Sequence, residues 1–153
     1  MIRAASHNDL REIQELFRGS VLNVCSRDYT EAQTAVWSAG SKNAEKWYNR
    51  ISNQYFVLDV RSCGVAGFAS LKQSEIDLLY VHHKCQGQGI GKGLITHLEN
   101  YARDHNVHEM VAFSSITARP FFEKLGFKTL LQQTVVLNSI NLINYKMLKS
   151  LIT

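Results

Sequence analysis

At 153 residues, with 45% apolar residues and no low-complexity stretch, the chain has the length and composition of one globular domain with a real core. Its 17 Lys and Arg exceed its 13 Asp and Glu by 4. That excess suits an anionic ligand, but it is scattered and forms no basic block, which argues against a nucleic-acid partner. No apolar stretch approaches the roughly 20 residues of a membrane span. Met1-Ile2-Arg3 leads into mixed sequence without a signal peptide's apolar run, so a cytoplasmic location with no membrane partner is expected. Cys25, Cys63 and Cys85 form no C-x-x-C pair and are odd in number; three reduced, free thiols are expected.

In chain order, Met1–Ala5 reads as a short strand. Asn8 or Asp9 then caps a helix that turns Leu10, Ile13, Leu16, Phe17 and Val24 toward a core. Thr30 and Gln33 have capping-box spacing and start a second helix with Ala35, Val36 and Trp37, broken at Gly40-Ser41-Lys42. A third helix, Ala44–Ile51, carries Trp47 and Tyr48. Strands follow at Gln54–Val60 and Gly64–Leu71, joined around Ser62-Cys63-Gly64, and at Glu75–Val81. A long helix over Gly89–His105 places Ile90, Leu94, Leu98, Tyr101 and Ala102 on one face. After a strand at His108–Ser114 and a short helix at Phe121–Leu125, strands Lys128–Leu137 and Asn141–Leu148 meet near Asn138-Ser139 as a closing hairpin. The order predicts an α/β sandwich on a mixed sheet, without an internal domain boundary.

The run Gln86-Gly87-Gln88-Gly89-Ile90-Gly91-Lys92-Gly93 lies between a strand and the long helix. Such a loop leaves backbone N–H groups free, and the helix dipole adds positive potential there, which makes an anion site fit for a diphosphate. The dinucleotide pattern G-x-G-x-x-G fails, because Lys92 or Leu94 stands at the third glycine. The triphosphate loop G-x-x-x-x-G-K-[ST] fails too, since Gln86 and Gly93 occupy required positions. What matches is Q-x-x-G-x-G at Gln86, Gly89 and Gly91.

That pattern resembles the acyl-CoA signature [RQ]-x-x-G-x-[GA] of the GNAT acetyltransferase superfamily. The segment Ser115-Ile116-Thr117-Ala118-Arg119-Pro120-Phe121-Phe122-Glu123-Lys124-Leu125-Gly126-Phe127 resembles its second hallmark, N-x-x-A-x-x-[FL]-Y-E-K-x-G-F. In its own right this segment reads as a short helix capped by Thr117, with Pro120 in the first turn and Gly126 as a left-handed stop. The resemblance covers residues 54–130 well and the whole chain in outline. It implies the GNAT fold: a mixed, mostly antiparallel sheet flanked by helices, with splayed strands forming an acyl-CoA slot.

It further implies acetyl-CoA as cosubstrate, no metal, and direct transfer to an amine of a small molecule or peptide. Leu79, Tyr80 and Val81 would pair with pantetheine, and Gln86, Gly87, Gln88, Gly89, Ile90, Gly91 and Lys92 would hold the pyrophosphate. Ser115, Phe121 and Phe122 would flank the slot. Among possible bases, Asp77 stands out because Ile76 and Leu78 flank it and half-burial would raise its pKa; Glu75 shares its face. Relatives often place an acidic tyrosine four residues before the glycine of G-F, but here that position is Phe122. Tyr145 and Ser115 are the substitutes to consider. Tyr29, Trp37, Trp47 and Tyr48 are either core or a cage for a cationic amine. The alternative to an enzyme is a CoA-binding sensor or regulatory module without catalysis, and O-acyl or carrier-protein transfer would use the same slot. The closing strands leave a homodimer open.

Overall fold

The computed structural model describes residues 1–152. Its strands are β1 (Ile2–Ala4), β2 (Tyr55–Arg61), β3 (Gly64–Lys72), β4 (Glu75–Val81), β5 (Glu109–Ser115), β6 (Lys128–Leu137) and β7 (Ile140–Ser150). Its helices are α1 (Leu10–Asn23), α2 (Glu31–Ser38), α3 (Ala44–Asn53), α4 (Ile90–Asp104) and α5 (Arg119–Lys124). The strands form one sheet in the order β1-β2-β3-β4-β5-β7-β6, antiparallel everywhere except between β4 and β5.

Local chemistry sets the element ends. The Thr30 capping box forms as the spacing predicts: Gln33 N–H donates to Thr30 Oγ1 at 3.1 Å, and Thr30 N–H donates to Gln33 Oε1 at 2.8 Å. Asn138 and Ser139 take φ of +46° and +65°, the left-handed pair that closes a tight hairpin. Two expectations are corrected. Asp9 precedes α1 but does not cap it with its side chain, which instead holds Arg3 at 2.8 and 2.9 Å and the Ser6 N–H at 2.9 Å. Thr117 does not cap α5 either; Ser115 Oγ accepts from Ala118 N–H at 3.0 Å, one turn earlier.

The sheet carries a core on each side. Leu94, Ile95 and Leu98 of α4 pack with Met110, Phe122, Phe127 and Met147 on one face. Ile13 and Phe17 of α1 pack with Trp47, Leu58, Phe68 and Leu78 on the other. A bulge in β4 governs which side chain goes where: Leu71 pairs Ile76 and Ser70 pairs Leu78, so Asp77 has no opposite residue. Ile76 therefore joins the α4 side, while Leu78 and Tyr80 join the α1 side. Simple alternation along the sequence would have put all three on one face.

Candidate active site

The parallel pairing of β4 with β5 is short. Glu75 pairs Val111 and Ile76 pairs Ala112, and beyond them the two strands separate. From Leu78 to Val81, β4 has β3 on one side and an open slot on the other. The ladder decides which backbone groups face that slot. His82 N–H donates to Ala66 O at 2.8 Å, so by the alternation of an antiparallel pair Tyr80 and Leu78 also bond toward β3. Leu79, through its N–H and C=O, and Val81, through its N–H, are left to face the slot. Of the three residues expected to pair with pantetheine, Tyr80 thus has its backbone already engaged; its side chain is what lines the cavity.

At the slot's end, Gln86 Nε2 donates to Val81 O at 3.0 Å and ties the loop back to β4. Gln86 through Gly89 are exposed. Gly87 and Gly89 take φ of +75° and +77°, and a Cβ at either would meet nothing within 4 Å, so open space stands over them. Gly89 is the N-cap of α4, whose first bond within the turn is Gly93 N–H to Gly89 O at 3.0 Å. The N–H groups of Ile90, Gly91 and Lys92 consequently have no partner in the helix. Ile90 contributes only that N–H, since its side chain is buried against Gly67. Gly91 serves packing as well: a Cβ there would stand 3.1 Å from the Phe121 ring. Gln88 and Lys92 lie exposed beside the same amides.

A cavity of about 360 Å³ runs from this slot to the acceptor side. It reaches Asp77, Leu79, Tyr80, Val81 and Gln86 on the β4 side, Ser115, Phe121 and Phe122 on the β5–α5 side, and Tyr29 and Trp37 beyond. Trp37 and Tyr29 therefore belong to the cavity, whereas Trp47 is core and Tyr48 stacks on His7 at 3.7 Å. Cys25, which the sequence does not single out, also lines it, and burial pushes its thiol up to about 11.

Asp77 is half-buried, and its Oδ2 accepts from Gln54 Nε2 at 2.8 Å and faces Arg50 Nε at 3.3 Å. Burial and the neighbouring Asp77 charge hold Glu75 above the usual carboxylate range. Phe122 is 4% exposed and wedged between Phe121 and Phe127, so α5 brings no hydroxyl. Tyr145 does not line the cavity; the Arg119 guanidinium lies over its ring at 4.3 Å. Tyr29 is spent structurally, donating to Ile143 O at 2.7 Å and accepting from Ile116 N–H at 2.9 Å. Burial pushes Tyr29 up to about 12 and Tyr80 further still, so both phenols keep their protons at neutral pH.

Residues 25–149 match the acetyltransferase (GNAT) domain family. YafP of Escherichia coli strain K12, described as an uncharacterized N-acetyltransferase, is 26% identical over 134 residues, which span 88% of this chain and 85% of that protein. A GCN5-related N-acetyltransferase from Rhodopseudomonas palustris is 30% identical, with a TM-score of 0.95 over 98% of this chain and 94% of that one. The PaiA N-acetyltransferase of Thermoplasma acidophilum, solved with coenzyme A, shares the fold at 21% identity, with a TM-score of 0.80 over 98% of both chains. The chain belongs to the GNAT superfamily, and its class is that of the acetyl-CoA-dependent N-acetyltransferases. The open glycine loop and the unpaired β4 edge fit that cosubstrate.

Proposed function

We propose that this protein transfers an acetyl group to a primary amine by direct attack, with both substrates bound together. The observation that carries the reading is the continuity of one cavity from the amide-lined loop, past the free edge of β4, to Asp77 and Trp37. Acetyl-CoA supplies an activated thioester. The residues that would hold it are Leu79 and Val81 through backbone pairing, as an added strand does, and Gln86 to Lys92 through N–H groups at the start of α4. Gly87 and Gly89 keep the loop open to a diphosphate.

The Val81 N–H aims into the slot and is placed to stabilise negative charge on a carbonyl oxygen there, with no particular side chain needed. Asp77, on the bulge of β4, receives the proton that the attacking amine sheds. Arg50 and Gln54 fix it through Oδ2 alone, which leaves Oδ1 for this work. With Phe122 apolar and Tyr145 outside the cavity lining, Tyr80 is the phenol that lines the cavity with a proton to give the leaving sulfur. The net reaction moves one proton from nitrogen to sulfur; after each turnover Asp77 gives its proton to solvent and Tyr80 takes one back. Thiol release from acetyl-CoA in the presence of amines tests the proposal. Amine-dependent release supports it; acetyl-CoA binding with no release from any amine points instead to a sensor.

A further inference from the structure

We propose that the acceptor is a compact monoamine: one primary amine on an aromatic or branched apolar body, carrying no second charge. The inference rests on the acetyltransferase reading and deepens it.

The charge of the cavity wall comes first. Asp77 is the single carboxyl side chain that lines the cavity, and no Lys, Arg or His joins it among the described residues. An acceptor with a carboxylate or phosphate would bury that anion without a cation to meet it. A second ammonium fares no better, because the one carboxylate is already engaged by Arg50 at 3.3 Å. Amino acids, phosphorylated amines and polyamines are therefore disfavoured by the same wall.

The wall's apolar part gives the body of the acceptor. Trp37 of α2, Val24 beyond α1, and Leu142 and Ile143 of β7 border the acceptor end, with Val135 and Leu137 of β6 beside them. Trp37 is held edge-on against Tyr29, ring centroids 5.2 Å apart, so its position is fixed before any ligand arrives. A volume of about 360 Å³, shared with the thioester end, leaves room for one small ring or a short branched chain. A free peptide would bring a C-terminal carboxylate that no cation of this wall meets.

The rest of the wall is polar but uncharged. Thr117 and Asn144 add polar side chains to the cavity lining, and Thr117 hydrogen-bonds the Cys25 thiol. The apolar surroundings also favour the neutral form of the bound amine, the form that attacks a thioester. One set of walls thus selects the body, rejects extra charge and prepares the nucleophile.

The test compares 2-phenylethylamine, spermidine, L-phenylalanine and a glycyl tripeptide as acceptors, with acetyl-CoA affinity measured separately by calorimetry. The expected result is a kcat/KM for 2-phenylethylamine at least about 100-fold above those of the other three, roughly the discrimination that an unpaired buried charge imposes. Trp37→Ala should raise its KM about tenfold or more at unchanged acetyl-CoA affinity, and Trp37→Phe should restore much of the loss. Equal or better use of spermidine, phenylalanine or the tripeptide overturns the inference while leaving the acetyltransferase reading intact. Tight acetyl-CoA binding with no turnover of 2-phenylethylamine overturns it as well. Failure to bind acetyl-CoA would remove the acetyltransferase reading itself, and this inference with it.

Discussion

Gln86 Nε2 and the Val81 carbonyl oxygen lie 3.0 Å apart, and that bond joins the end of β4 to the loop that opens α4. The two ends of the cofactor slot, backbone edge and amide-lined turn, are thereby held in one frame. Gln86→Ala should leave the fold intact and weaken acetyl-CoA binding by roughly 3- to 10-fold, about the worth of one hydrogen bond. Calorimetry on the folded variant reads this directly; unchanged affinity would remove the bond from the binding account.

Gly89 caps α4 at φ +77° with open space above it, and a carboxylate there would stand where the proposal puts the diphosphate. Gly89→Glu is expected to cost at least about tenfold in acetyl-CoA affinity, through blockage and charge repulsion. Gly93→Ala is the companion control. Gly93 lies inside α4, nothing stands within 4 Å of an added Cβ, and alanine there should raise stability by about 0.5–1 kcal/mol. Thermal melts of both variants separate loss of binding from loss of fold.

Asp77, Tyr80 and Tyr145 can be told apart by turnover at saturating acetyl-CoA. Asp77→Asn should lower kcat by about 100-fold and Tyr80→Phe by about tenfold or more, the range of general acid–base groups. Tyr145→Phe, a change in a ring that lies under Arg119, should leave kcat within about twofold, well short of that range. A large loss in Tyr145→Phe together with an active Tyr80→Phe would reverse the assignment of the proton donor.

Much of this was legible in the sequence, and the exceptions have physical causes. β4 and β6 match their expected bounds, Glu75–Val81 and Lys128–Leu137, because alternation and turn residues act locally. The Thr30–Gln33 capping box is equally local. The bulge at Asp77 depends on pairing with β3, which no single strand announces. Arg50 reaches Asp77 across 27 positions of chain, so the ion pair had no local signal. Cys25 enters the cavity because the turn after α1 packs with Tyr29 against Leu142 of β7, a tertiary outcome. Tyr145 sits on the last strand, but its ring lies under Arg119 and outside the cavity lining, a tertiary contact with no local signal.

The Arg3–Asp9 pair gives a pH dependence of stability. Two hydrogen bonds from Arg3 hold the Asp9 carboxyl below its ordinary value of 3.8. A depressed carboxyl pKa adds stability that is complete above the unfolded value and is lost as pH falls through the folded one. Asp9→Asn should therefore lower Tm near pH 7 by roughly 2–4 °C, on the order of 1 kcal/mol, and the difference should shrink below about pH 4. A Tm gap that persists unchanged at pH 2 would mean that packing, not charge, explains the loss.

The three thiols should alkylate in a fixed order. Cys63 is exposed in the β2–β3 turn, whereas Cys25 is buried and pushed up to about 11, so little thiolate exists there near neutrality. Mass spectrometry after timed iodoacetamide treatment at pH 8 should show Cys63 modified first and Cys25 last. Acetyl-CoA should not protect Cys63, which lies outside the cavity lining.

The central claim is that the Gln86–Lys92 loop and the free edge of β4 bind acetyl-CoA, and one titration tests it most directly. Purified protein should bind acetyl-CoA one to one, with a dissociation constant in the micromolar range, about −8 kcal/mol, and should bind neither ATP nor NAD comparably. Absence of heat and of any shift in Tm with millimolar acetyl-CoA would contradict the account and leave the glycine loop as a structural turn alone.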